Sequence, residues 1–396
     1  MHLTLEPTPR AGKSVPASPR RRVLISGGLA AGGPQTHVPL LCSVLQQAGA
    51  EVTIAAASTN WSAGALADLR ATGVRVVVSP FRFGPLRMLG KLWSFLAWPF
   101  LLRCDYDVLY CIGEGRMHFW AGRFARESGF KIYHEIVTSP APGSVPAQVA
   151  ARMNAVVANS ENVAREMRSL LPNLPVRAIP FFTSDAPVAP PPARPPRTSG
   201  PLRVAFLGRL APHKRPVELI EAVARWNGNA SIGPVRLDLY GGDYDYMGQR
   251  LRDRITGLNL GDHVSLRGAY APADLDRIFA ETDLVLLPSL YEGLPLVLVE
   301  AMLRGVPVVA TSAGGTAELG GDNPDVLVTE GTGWDAFEAG VLAMASRIRA
   351  GQIDPARLHA WTEARYGYQP VAAAWREALL SPRDYFAVPT PAEATA

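Results

Sequence analysis

Two glutamates eight residues apart, Glu292 and Glu300, stand in the segment Tyr291–Met302, YEGLPLVLVEAM. The pattern puts Glu292 in a loop at the carboxyl end of a strand and Glu300 inside a helix that starts near Pro295. The helix start between them offers amide N–H groups and the positive end of a helix dipole, which suits an anion. Carboxylates accept well from paired hydroxyls such as those of a ribose or a hexose. Upstream, Gly208-Arg209-Leu210-Ala211-Pro212-His213-Lys214 places a forked guanidinium and a point-charge ammonium in one strand–helix loop. Gly32-Gly33 precede the first helix, and Ser312-Ala313-Gly314-Gly315 follows a strand; both loops permit close backbone approach. From spacing alone each feature has an ordinary reading beside the chemical one. The glutamates suit a surface near a helix start, the bases suit solvent, and a lone glycine pair suits any turn.

The elements that must position these residues repeat a β–α–β grammar. Residues 23–27 (VLISG) read as a buried strand, followed by a glycine-rich turn, a helix through Val38, Leu41, Cys42 and Leu45, and a strand at Glu51–Ala55. Strands continue at Val74–Val78, Val108–Cys111, Lys131–His134, Ala155–Ala158 and Val176–Ile179. Seven of the sixteen residues in 186–201 are proline, which makes this stretch a semi-rigid linker. After it the pattern restarts. Strands are expected at Leu202–Leu207, Arg236–Tyr240, His263–Arg267, Leu284–Leu287 and Val306–Ala310, with helices at 216–226 and from Pro295 to Arg304. The fold class is α/β, with two doubly wound Rossmann-like domains facing a central cleft. The expected divisions are a disordered basic leader at 1–22, a first domain at 23–185, the linker at 186–201, a second domain at 202–370, and a C-terminal helix and tail at 371–396 that return to the first domain. Ligands of such sheets bind beyond the strands' carboxyl ends.

Composition narrows the class. The 396 residues are 48% hydrophobic and 19% charged, a globular balance. The net charge of +4 belongs entirely to residues 1–22, leaving 34 basic and 34 acidic residues in 23–396. The body is therefore not marked as a nucleic-acid binder. Cys42, Cys104 and Cys111 form no CxxC or even framework, which suits a reducing, cytoplasmic compartment. No segment has the roughly 18 apolar residues of a membrane span. No His, Asp or Glu cluster has metal-ligand spacing, and Asp243 and Asp245 fall in a turn, so neither metal nor other cofactor is expected.

Glu292-x7-Glu300 within EGLPLVLVEAM, Gly208-Arg209-x4-Lys214 and Gly32-Gly33 together resemble the retaining GT-B glycosyltransferases of glycosyltransferase family 4, from about residue 23 to 380. Val156-Val157-Ala158-Asn159-Ser160 resembles the family's strand ending in serine. The resemblance implies a nucleotide-sugar donor and hexose transfer with retention by a front-face displacement, in polysaccharide, glycolipid or glycoconjugate synthesis. It implies that Arg209 and Lys214 hold the donor diphosphate, Glu300 the ribose hydroxyls and Glu292 the donor sugar. Gly293, Leu294, Pro295 and Leu296 would lie near sugar and phosphates, and Gly32 and Gly33 would admit the diphosphate. His134 matches the histidine beside the reacting sugar. Three positions depart from the family: Arg215 replaces its usual glycine, Phe181-Phe182-Thr183-Ser184-Asp185 its hinge turn, and Glu135 a small residue. A nucleotide-sugar epimerase and a non-catalytic nucleotide-sugar-binding protein are the alternatives.

One stretch lies outside these motifs. Between Asp68 and Asp105 there are six bases and no acid. Leu86, Leu89, Leu92, Trp93 and Leu96 share a helical face, with Arg87 and Lys91 on another. Residues 82–103 suit either an anionic membrane surface and a lipid-linked acceptor or a helix packed on the first sheet.

Overall fold

The structure, a computed structural model, describes residues 21–27, 33–56, 63–78, 106–112, 129–136, 141–192, 198–228, 232–243 and 246–387. Gly32, Cys104, nearly all of the basic leader and the basic apolar stretch 82–103 lie outside the described residues.

The first half holds β1 (Arg22–Gly27), α1 (Gly33–Gln47), β2 (Glu51–Ala56), α2 (Ala63–Ala71), β3 (Arg75–Val78), β4 (Val108–Ile112), β5 (Phe130–Glu135), α3 (Val145–Ala150), β6 (Ala155–Ala158), α4 (Glu161–Leu170) and β7 (Val176–Ala178). The second holds β8 (Leu202–Leu207), α5 (Pro216–Asn227), β9 (Val235–Tyr240), α6 (Met247–Gly257), β10 (Val264–Gly268), α7 (Leu275–Ala280), β11 (Leu284–Leu287), α8 (Leu296–Met302), β12 (Val308–Thr311) and β13 (Val326–Thr329). Four helices follow: α9 (Trp334–Arg349), α10 (Pro355–Tyr366), α11 (Tyr368–Leu380) and α12 (Pro382–Tyr385).

The strands form two all-parallel sheets, one ordered β3-β2-β1-β4-β5-β6-β7 and the other β10-β9-β8-β11-β12-β13. Parallel strands covered on both faces should be continuously apolar, and β4 (VLYCI), β6 (AVVA), β11 (LVLL) and β12 (VVAT) are buried at every position. In each sheet the strand order reverses beside the first strand, between β1 and β4 and between β8 and β11. A crevice opens at such a reversal. Gly27 and Gly33 stand at the first crevice, Gly208 and the loop after β11 at the second. Two fully parallel sheets with helices on both faces are the doubly wound α/β architecture expected from the sequence.

α11 does not stay with the sheet that precedes it. Val371, Ala372, Trp375, Ala378 and Leu379 share one apolar core with Val23, Ile25, Leu41 and Tyr110 of the first unit. The Trp375 indole N–H donates to the carbonyl of Pro180 at 2.9 Å, just past β7. α10 by contrast packs on α8 of the second unit. The chain thus closes back over the segment joining the two sheets. Cys42 and Cys111 are free thiols, each raised to about 12 by burial.

Sequence reading placed a helix from Pro295 to Arg304. The helix spans Leu296–Met302, and Pro295 serves as its extended N-cap. The strand β13 went unmarked, because its three apolar residues and Thr329 sit behind Asn323-Pro324 with no flanking pattern.

Candidate active site

The second crevice is built from four loops, after β8, β9, β11 and β12, that could not pack without glycine. Gly241, which ends β9, faces the carbonyl oxygen of Gly208 so closely that a Cβ would lie 1.8 Å from it. Gly314 and Gly315 lie against the segment after β11 in the same way. Their Cβ atoms would stand 2.1 Å from the Glu292 carbonyl oxygen and 1.7 Å from that of Gly293. Contacts below about 3 Å are not tolerated, so these glycines set how tightly the loops close.

On this scaffold Lys214 Nζ donates to Glu292 Oε1 at 2.5 Å, and Ser289 Oγ donates to the same oxygen at 2.7 Å. Both ion-pair side chains are 13% exposed. The Leu290 N–H donates to the His213 carbonyl at 2.8 Å. The His213 and Tyr291 rings stack at 4.3 Å and 13°. Arg209, His213, Lys214, Tyr291, Glu292 and Gly293 together line an open recess of about 430 Å³. Two permanent cations and one carboxylate on a single recess make an anion site with a built-in counter-charge.

Glu300 sits in the second turn of α8. Burial raises its carboxyl from the ordinary 4.5 to about 7, and Arg304 works against that rise. Tyr270, after β10, is close enough that the Glu300 charge helps raise its hydroxyl. A carboxyl this poorly solvated gains from hydroxyl donors that replace the lost water.

Arg215 takes a left-handed backbone, φ 54° and ψ 43°, between the short 3-10 helix Pro212–Lys214 and α5. Glycine holds that conformation without strain, which accounts for its usual presence at the matching position. Here the Arg215 guanidinium donates to the Thr332 carbonyl at 2.6 Å and ties the loop to the start of α9.

The first unit's contribution differs from its sequence reading. His134 is fully buried and its Nδ1 is hydrogen-bonded to the Tyr110 hydroxyl. Its ring is walled by Phe181 at 5.1 Å and Trp375 at 5.3 Å, with His37 at 6.3 Å. Burial lowers its imidazole to about 3, with the Asn159 side chain opposing. In this conformation His134 is packed, not presented to the recess. Gly33 does face the second unit: a Cβ there would sit 2.9 Å from the Phe181 ring and 4.0 Å from Leu296. Pro295 needs a further correction. It has no N–H to offer an anion, and its carbonyl already accepts from Leu298 at 3.0 Å.

The two units touch at one more place. The Glu318 carboxylate accepts from the Glu161 N–H, 2.5 Å away, at the start of α4. Ser160, the N-cap of α4, lies where a Gly315 side chain would go. Burial raises Glu318 to about 7 against the pull of the Glu161 and Asn162 N–H groups. Neither the Glu318–Glu161 contact, nor Ser289, nor the His213–Tyr291 stack was marked in the sequence. His213, Tyr291 and Ser160 each lie within a sequence motif, but nothing in the sequence pointed to their partners.

Among the described residues no group of three or more His, Cys, Asp or Glu side chains is placed to hold a metal ion.

Comparison with known proteins decides the family. Residues 192–347 match the model for "Glycosyl transferases group 1", and residues 31–182 that for "Glycosyltransferase Family 4". The D-inositol 3-phosphate glycosyltransferase of Gordonia bronchialis is 30% identical over 86% of this chain and 85% of its own. The chain belongs to the family 4-like GT-B glycosyltransferases. This glycosyltransferase also shares its fold with Anabaena HepE, solved in complex with UDP and glucose, at TM-score 0.69 and 20% identity. That match covers 92% of this chain and all of HepE. Sucrose-phosphate synthase from Thermosynechococcus elongatus superposes at TM-score 0.68 and 17% identity, over 92% of this chain and 99% of that one.

Proposed function

We propose that this glycosyltransferase moves a hexose from a nucleotide diphosphate sugar to an acceptor hydroxyl, with retention at the anomeric carbon. The observation that carries the reading is the single recess that gathers Arg209, Lys214 and Glu292 at the carboxyl ends of β8 and β11. Arg209 and Lys214 meet the diphosphate and stabilise the charge that grows on it as the sugar leaves. Lys214 is held by Glu292, so an incoming phosphate shares or replaces that carboxylate. Glu292 then turns to the sugar hydroxyls. Glu300, on the next turn of the same motif, takes the ribose. The Gly33 edge of the first unit and the amides of Gly293, Leu294 and Leu296 line the gap between the units, and the same role is assigned to Gly32. Retention follows a front-face displacement: the acceptor oxygen bonds to the anomeric carbon on the face the phosphate leaves, and the leaving phosphate oxygen takes the acceptor proton. His134 keeps the place beside the sugar that the resemblance gives it and, packed against Phe181 and Trp375, supports that wall of the site. Neither metal nor other cofactor enters this reading.

The acceptor side is set by the first unit. We assign residues 82–103 to an anionic membrane surface, with the protein cytoplasmic and peripheral to the inner leaflet, and the product to polysaccharide, glycolipid or glycoconjugate synthesis. No helix among the described residues is long and apolar enough to cross a membrane. Flotation with anionic liposomes of protein lacking residues 1–22 should show binding that Arg87→Glu/Lys91→Glu abolishes. Protein that never floats contradicts the assignment.

Transfer from UDP-, GDP- and TDP-hexoses to a panel of acceptors, an inositol phosphate among them, tests the activity. A glycoside with the donor's anomeric configuration is expected. Inversion overturns retention, and interconversion of the donor without transfer points to an epimerase.

A further inference from the structure

His213 is not needed by the roles assigned above, yet it lines the same recess as the two cations that the diphosphate requires. Its ring is fixed on one face by Tyr291, at 4.3 Å and 13°. Tyr291 is itself 51% exposed, so the stack forms a rim of the recess and not part of a core. The backbone of His213 is pinned from the other loop by the Leu290 N–H. With one ring face stacked on Tyr291 and its backbone tied to the neighbouring loop, the imidazole lines the recess beside Arg209 and Lys214, a geometry suited to contact with an anion held there.

We propose that His213, held by Tyr291, is a third diphosphate-contacting group of the donor site, and that it takes a proton from solvent as the diphosphate enters. The proposal rests on the donor reading given above. The charged groups facing His213 are Lys214 on its own 3-10 helix, Arg209 on the loop after β8 and Glu292 on the loop after β11. Burial and then Lys214 and Arg209 hold the imidazole below its ordinary value of 6.5, with Glu292 opposing. The ring is therefore neutral at pH 7. A bound diphosphate brings negative charge that answers both cations and favours the charged imidazolium. Binding and protonation are then linked, each strengthening the other.

The test uses calorimetry of the full-length protein at pH 7. UDP, GDP and TDP are titrated in two buffers of different protonation enthalpy, which reads the protons taken up on binding. With whichever nucleotide binds, wild type should take up roughly half a proton more than His213→Gln. His213→Arg, whose charge is permanent, should keep the wild-type affinity and lose the uptake. Glu300 contributes equally in all three proteins and cancels in the differences. Equal uptake by wild type and His213→Gln, with nucleotide bound to both, overturns the role of His213 and leaves the donor reading standing. If wild type binds none of the three nucleotides, the donor reading falls and the proposal falls with it.

Discussion

The two ends of the cleft are built by opposite means. On the second unit, charge is concentrated in short loops at the strands' carboxyl ends, and the loops are tied to one another. Lys214 reaches Glu292, Leu290 reaches His213, and Gly314-Gly315 brace the backbone of Glu292-Gly293. On the first unit the matching position is apolar and ring-filled. His37 stacks on Phe181 at 4.3 Å, and Tyr110, His134 and Trp375 close around them. A polar cluster in the open keeps its charges available for a charged ligand. A histidine packed among aromatic rings is held neutral and lends shape and stiffness. The contrast supports the proposed reading, in which the second unit receives the donor; in the first unit this ring cluster packs against the segment through Pro180 that leads out of the sheet.

The sharpest way to break the donor end is to remove its bracing. A Cβ at Gly315 would lie 1.7 Å from the Gly293 carbonyl, so Gly315→Val must displace residues 292–293. Displacements of about 1 Å at a reacting centre cost on the order of a hundredfold in rate. Turnover should fall by that order, while far-UV circular dichroism stays that of a folded protein. Turnover within threefold of wild type would show that the brace does not position the site.

A smaller effect separates the two glutamates. Glu300→Ala should weaken nucleoside diphosphate binding about tenfold, the value of one hydrogen bond to a charged group at about 1.5–3 kcal/mol. Glu292→Ala frees Lys214 from its ion pair, so nucleotide binding should hold or tighten while transfer falls. Equal loss of nucleotide affinity in both variants would contradict the assignment.

The same carboxyl can be read through stability. Glu300 has a folded value of about 7 against 4.5 when solvated. The folded protein therefore keeps a proton that the unfolded chain gives up between those values. Its stabilising effect is full below pH 4.5 and is lost as pH rises through 7. Glu300→Gln should match wild type in urea unfolding at pH 4.5. At pH 8 it should be more stable by on the order of 1–3 kcal/mol, after allowing for the side chain's partial exposure. A variant less stable than wild type at pH 8 would mean that Glu300 is already well paired in the empty protein.

The smallest expected effect is at Arg215. Arg215→Gly relieves a left-handed backbone worth about 1 kcal/mol and gives up the bond to Thr332, worth a similar amount. Stability should stay within about 1 kcal/mol of wild type by urea unfolding. A loss above 2 kcal/mol would mean that the guanidinium anchors α9 more strongly than one hydrogen bond.

The same contrast decided what could be read before the fold was known. Arg209, Lys214, Glu292 and Glu300 lie in two contiguous segments, and neighbours in sequence stay neighbours in a loop and its helix. The apolar strand runs and the proline-rich break at 186–201 made the two parallel sheets legible as well. The packing of His134 was not legible, because its wall comes from α1, β4, the segment after β7 and α11, brought together only by the returning C-terminal helix. Ser289 was missed, and His213 was noted beside the cations without a role, for a different reason. A serine and a histidine beside a motif look like any polar loop residue until a carboxylate or a ring is seen against them.

The most direct measurement is titration of UDP, GDP and TDP into wild type and Lys214→Ala by calorimetry. One of these nucleotides should bind wild type, and Lys214→Ala should bind it at least tenfold more weakly while remaining folded. Wild type that binds none of them, or Lys214→Ala that binds as well as wild type, would contradict a donor site on the second unit.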